Sequence, residues 1–181
     1  MVLSKQDAAL FFKLWLPLLR FGSEAYDLHV GELVKSSGGI DLAAALEVAE
    51  AIWKDVSIID DYLSLRSELS QEEKDIVLNW KHAAHGHFAL ERHLRGGSIF
   101  ISLDNNEVYL VKGITSSWQE MFEGQPMPVI LTATLLLFKD GIITDGLING
   151  SRVIVGPGIR QEFKDTCMQA KTHGRIRKTL V

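Results

Sequence analysis

Near residue 86 the apolar residues of this chain change period, and that change constrains the fold more than any single motif does. Upstream, apolar positions recur three and four apart, as a helix that buries one face requires. Downstream they come in short runs of strand formers, punctuated by Gly or by Asp and Asn. Ser4 with Asp7 predicts a helix start, and Leu10, Phe11, Phe12, Leu14, Trp15, Leu18 and Leu19 then form a broad apolar face. Pro17 should bend or split this helix near 14–16, because its ring clashes with the preceding turn and it supplies no N–H. Lys35-Ser-Ser-Gly-Gly39 is expected to be a flexible connector. Asp41 is placed to cap a helix through Leu42, Leu46, Ala49 and Trp53, and 56–65 reads as a shorter helix. Ser70 and Glu73 form a capping box ahead of Ile76, Val77, Trp80 and Ala84.

The second half predicts strands at 88–94, 98–103 and 108–111, with Asp104-Asn105-Asn106 turning a hairpin. Trp118 to Phe122 predicts one helical turn. The stretches 129–138 and 142–148 predict a hairpin in which Asp140-Gly141 supplies the positive φ of a tight turn. Ile159, Phe163, Cys167 and Ala170 mark a closing amphipathic helix. The expectation is a single α+β domain over 1–181: mainly helical over 1–85, antiparallel strands over 86–155, helix over 156–173 and a tail over 174–181. The helical half should pack on an antiparallel sheet of about five strands.

At 46% hydrophobic and 23% charged residues the chain has too much apolar material for disorder, and its net charge of −4 offers no bulk attraction to nucleic acid or anionic lipid. Cys167 is the sole cysteine, so an intrachain disulfide is excluded and a reducing, cytoplasmic setting is expected. The apolar run 8–21 is preceded by Asp7 and interrupted by Lys13, which reads as helix and not as a signal sequence, and no run spans a bilayer.

The dense set of candidate ligands is Lys81-His-Ala-Ala-His-Gly-His-Phe-Ala-Leu-Glu-Arg-His-Leu-Arg95. His82 and His85, three apart near a helix end, can face one way, with His87 just beyond. Strand alternation then puts His87, Ala89, Glu91 and His93 on one face and Phe88, Leu90, Arg92 and Leu94 on the core face. Zinc is the metal such a set would suit, yet no His-Glu-x-x-His spacing is present, and the plainer reading leaves these histidines as surface or capping residues. No cofactor is expected. Arg92 on the core face needs a carboxylate, and Asp145, flanked by Ile143 and Leu147, needs a cation or N–H donors, so the two are expected to approach each other at one end of the sheet; the competing expectation is that each lies at a strand edge and reaches water. Gly156-Pro157-Gly158 with Arg160 and Lys164 could hold an anion, although such a turn is more often only a turn. Cys167 lies on an apolar stripe and reads as core. The tail bases Lys171, Arg175, Arg177 and Lys178 lack interleaved aromatics, which argues against a nucleic-acid reader.

The segments Glu91-Arg-His-Leu-Arg95 before Ile99-Phe-Ile, Val108-Tyr-Leu-Val-Lys-Gly113 and Leu135-Leu-Leu-Phe-Lys-Asp-Gly-Ile-Ile-Thr-Asp-Gly-Leu147 resemble a group of uncharacterised bacterial proteins. That group carries Arg-x-Leu-Lys, Tyr-x-Val-x-Gly and Leu-Pro-Phe-Lys...Asp-Gly-Leu segments in the same order. The resemblance covers about 86–150, with Leu137 where the group has Pro, and Arg92, Asp145 and Gly146 match its pattern. It implies a bacterial cytoplasmic protein and no particular activity. The functional expectation is a non-enzymatic binding or regulatory protein that presents the sheet's polar end or the helical face to a partner, with a protein one candidate. The alternatives are a metal-dependent hydrolase using His82, His85, His87 and His93 with Glu91, and a nucleic-acid-associated protein using the basic tail.

Overall fold

Large aromatic side chains at helical spacing organise the chain before the change of period. The computed structural model describes residues 1–28, 41–151 and 153–180; the connector expected at 35–39 lies outside them. The chain divides into two compact units, Ala9–Lys81 and Met1–Ala8 with His82–Val181. In the first, α1 (Lys5–Ala25), α2 (Leu42–Lys54), α3 (Ile58–Ser64) and α4 (Gln71–Asn79) are followed by one 3-10 turn beginning at Trp80. Trp15 stacks on Trp53 with centroids 5.2 Å apart, and Trp80 meets the edges of both Trp15 and Phe11. Gly22 is needed for close helix approach, since a Cβ there would lie 2.8 Å from Ile52 Cδ1. Pro17 does not split α1, which runs on to Ala25. Asp41 caps α2 by accepting from the N–H groups of Ala43 and Ala44, and Ser70 with Glu73 forms the expected capping box on α4.

The second unit is built on a six-stranded sheet: β1 (Ala84–Leu94), β2 (Gly97–Ser102), β3 (Val108–Val111), β4 (Val129–Phe138), β5 (Gly141–Thr144) and β6 (Asn149–Gly150). Helix α5 (Trp118–Met121) precedes β4, and α6 (Pro157–Thr172) follows β6. One strand more than expected is present: β5 stops at Thr144, short of the expected 148, and β6 forms beyond that run at Asn149–Gly150, while β1 begins earlier than its apolar run suggests. The strand order is β4-β1-β2-β3, a Greek key, and β5 pairs with β4 on one side and, in parallel, with β3 on the other. These pairings close a ring, the five-stranded Greek-key barrel architecture that OB-folds share. Closure also explains why β3 and β5 are the one parallel pair among these six strands.

Alternation fills the ring. Phe88, Leu90, Phe100, Tyr109, Val111, Leu131, Ala133, Leu135 and Ile142 point inward, where Trp118 and Phe122 of the α5 region join them. Phe100 meets Trp118 edge-on at 4.9 Å between centroids. Ala89, Ile99, Ile101 and Val108 point outward and are covered by Cys167 and Ala170 of α6. The β4–β5 turn departs from expectation in one detail: Lys139, not Gly141, takes the positive φ (52°), and Gly141 pairs with Phe138 at the end of the ladder.

Phe100 has no exposed surface and contacts the ring's other aromatics. Phe100→Ala is expected to lower the unfolding free energy by about 3–5 kcal/mol in urea titration, as cavity-forming aromatic truncations do; a loss below about 1 kcal/mol would mean that the ring interior collapses freely around the cavity.

Candidate functional site

The histidines are placed by β1, and β1 contains a bulge. Its register on β2 runs Phe88↔Ser102, Ala89↔Ile101, Leu90↔Phe100 and then Arg92↔Ile99, His93↔Ser98, so Glu91 is one residue too many. From that point the faces exchange. Arg92 joins the outward face of Ala89 and Ile99, and His93 joins the inward face of Phe88 and Leu90, the reverse of uninterrupted alternation.

His85 is not at a helix end with His82, as the spacing suggested, because the last helical turn closes at His82 and the strand has begun by Ala84. His85 and His87 lie on the outer face of β1, each opposite a threonine of β4. His85 Nδ1 is 2.8 Å from Thr134 Oγ1, and His87 Nδ1 is 3.0 Å from Thr132 Oγ1. His93 lies beyond the bulge and pairs with Ser98, Nδ1 to Oγ at 2.9 Å. The four histidines therefore do not converge. Among the described residues no group of three or more His, Cys, Asp or Glu side chains is placed to hold a metal ion.

The expected approach of Arg92 to Asp145 does not occur. Arg92 donates through Nε and Nη2 to both oxygens of its neighbour Glu91, whose side chain is buried. Asp145 bonds through its N–H to Thr134, the residue opposite His85 on β4, roughly 20 Å along β1 from Arg92 at the usual strand rise. The Asp145 carboxylate instead accepts the Leu147 N–H at 3.0 Å while Gly146 takes φ 82°, which makes the kink between β5 and β6. It is a turn-forming residue.

At the start of α6, Gly156 caps without a side chain and Arg160 Nε donates to the Val155 carbonyl at 2.8 Å, so Arg160 is turned back on the chain. Cys167 is buried under the helix, and burial pushes its thiol up, away from the thiolate that a nucleophile needs.

The basic tail holds what sequence reasoning missed. Arg177 N–H donates to the Val108 carbonyl at 2.8 Å and Leu110 N–H to the Arg177 carbonyl at 2.9 Å, so the tail is tied to β3 by one parallel bridge opposite Tyr109. A cleft of about 500 Å³ opens between this segment, the β2–β3 turn and α6. Val108 and Ala170 floor it; Asn105 and Asn106 line it from the turn, Thr166 and Gln169 from α6, Arg175 and Arg177 from the tail. On its wall Glu107 accepts from the Tyr109 hydroxyl at 2.5 Å with one oxygen and from Arg177 with the other. Burial, reinforced by this hydrogen bond to Glu107, pushes the Tyr109 hydroxyl up to about 12. The signal available in the sequence was Glu107-x-Tyr109, two residues of one strand parity after a hairpin turn; its partner Arg177 lies seventy residues on.

A second cleft, of about 440 Å³, lies where His93 meets Ser117, Glu120, Glu123 and Met127. Burial lowers the His93 pKa from its ordinary 6.5. Among the described residues no helix is long and apolar enough to cross a membrane. Comparison with family models, curated proteins and solved structures returns no match.

His93 should titrate below 6.5 when its ring C–H is followed by NMR. The unfolded chain then takes up a proton before the folded one does, so His93 makes the fold less stable as pH falls from the unfolded midpoint to the lower folded one. A midpoint at or above 6.5 would contradict its partly buried position beside Ser98. Ultraviolet titration should show one tyrosine ionising near 12, and Glu107→Gln should bring it down only part of the way, because burial is the larger cause.

Proposed function

We propose that the chain is a non-enzymatic, cytoplasmic binding protein whose barrel unit holds a small ligand. What supports this reading most is how the reactive side chains are distributed. Catalysis by acid, base or metal needs several such groups converging on one reacting atom. Here they are held in separate local sets, His85 with Thr134, His87 with Thr132, His93 with Ser98, Glu91 with Arg92, and Glu107 with Tyr109 and Arg177. Concave polar surface is nonetheless present, in the cleft beside β3. Small Greek-key barrels commonly serve as binding scaffolds, a fold-level analogy that leaves the ligand open. The buried Cys167 thiol suits a reducing compartment.

The metal-dependent hydrolase reading asks His82, His85, His87 and His93 to share an ion, whereas the bulge sends His93 to the other face of the strand from His85 and His87. A free basic arm for nucleic acid is disfavoured by the pairing of Arg177 with Glu107 and by the backbone bonds that tie the tail to β3.

Elemental analysis of protein purified without a histidine tag, beside the His82→Ala, His85→Ala, His87→Ala, His93→Ala quadruple variant, is expected to give the same substoichiometric metal content in both. Stoichiometric metal in the parent, lost from a folded variant, would replace the binding reading with the metal-site one.

A further inference from the structure

Two guanidinium groups enter the cleft beside β3, and their surroundings differ. Arg177 is compensated by Glu107, whose second oxygen is taken by the Tyr109 hydroxyl. Glu107 is thus occupied on both sides. Arg175, two residues earlier on the same segment, lines the cleft, is exposed, and makes no ion pair among the described residues. Its backbone is fixed, because Arg175 N–H donates to the Ala170 carbonyl at 2.8 Å and the following residues pair with β3. Asp165, one turn before Gln169 on α6, accepts from Gln161 at 2.9 Å and does not line the cleft.

The charge of the described lining is one carboxylate against two guanidiniums, and the cleft of the uncompensated one is also lined by the amides of Asn106 and Gln169, the hydroxyl of Thr166 and apolar Val108 and Ala170, the Asn105 amide being turned to Glu107. A ligand carrying an oxyanion would satisfy the Arg175 fork and the neighbouring donors together. A neutral or cationic ligand would leave Arg175 unpaired. The cleft volume of about 500 Å³ falls in the range of small-molecule sites. Anchoring both ends of the arginine segment removes part of the ordering cost that a loose tail would carry on binding.

We infer that this cleft binds a small oxyanion ligand, with a carboxylate or phosphate group on Arg175 and the amides of Asn106 and Gln169 around it. This rests on the binding reading above and adds its site and ligand class.

The test is an NMR titration of the full chain, labelled with nitrogen-15, using inorganic phosphate and, separately, succinate, with ionic strength held constant by sodium chloride. Saturable shifts confined to the side-chain signals of Asn106, Gln169 and Arg175 are expected, and the stronger of the two anions identifies which oxyanion the site prefers. Arg175→Gln should weaken that binding by about tenfold or more while leaving the spectrum's dispersion unchanged. Arg175→Lys should retain part of it, because charge is kept and the fork is lost. Absence of saturation at these signals with both anions at tens of millimolar, or saturation untouched by Arg175→Gln, overturns the assignment. A thermal-shift screen of neutral and cationic metabolites separates this failure from that of the parent reading. A compound that stabilises parent and Arg175→Gln alike leaves a binding protein with its site elsewhere, and no stabilising compound at all counts against both.

Discussion

Ring closure rests on a short stretch of β3. This strand pairs with β2 along one edge, and on the other it meets β5 at Val111↔Ile142, with Lys112 N–H donating to the Ile142 carbonyl at 2.8 Å. So brief a parallel contact leaves most of that edge open, and an open edge is a row of unsatisfied donors and acceptors. Two other segments occupy it. Arg177 bridges Tyr109 in the middle of the strand, and Val2 bridges Gly113 just beyond its end, with Leu3 N–H donating to the Gly113 carbonyl. The barrel is therefore finished by residues from far along the chain, and the cleft beside β3 exists because one of these seals carries arginines.

The bulge at Glu91 is the second constraint. In a strand paired on both edges, an extra residue changes the partner of everything after it. Before the bulge, β1 is held by β4 as well as β2; after it, by β2 alone. The extra residue is itself a buried glutamate, and the cation it needs is supplied by the next side chain, Arg92, which the same register shift has moved to the outer face. His93 is moved to the inner face by the same step. One inserted residue thus settles where two candidate functional groups point.

The helical half and the positions of the strands along the chain were legible because they rest on local patterns: the Asp41 cap, the Ser70 and Glu73 box, the Asp104-Asn105-Asn106 turn and the apolar stripe of Cys167 and Ala170; their order in the sheet was not, since successive hairpins suggested a meander and β1 pairs with β4. Closure was not legible, since the Val111↔Ile142 pairing leaves no periodic trace in either strand. Nor was the bulge, because Glu91-Arg92-His93 continues a polar run that alternation cannot distinguish from an unbroken strand. Asp145 drew attention for a sound reason, a carboxylate among apolar residues, and it accepts the Leu147 N–H two residues on while Arg92 pairs with Glu91. In the tail, composition showed a basic patch but not that its backbone belongs to the sheet.

That last difference reverses what net charge would suggest about ligands. The chain as a whole is negative, at −4, yet potentials from distant exposed charges are screened within about 8–10 Å at physiological salt. What a small ligand meets in the cleft is set by the charges within that distance. Glu107 cancels Arg177 and, among the described residues, no other carboxylate lines the cleft. The surviving charge is that of Arg175, and the residue that leaves it unopposed is Tyr109, whose hydroxyl donates to the Glu107 oxygen that Arg177 does not use. Tyr109 is also part of the ring interior, packed edge-on against Phe88. The polarity of the cleft is therefore fixed from inside the barrel, by a side chain whose position is set by core packing.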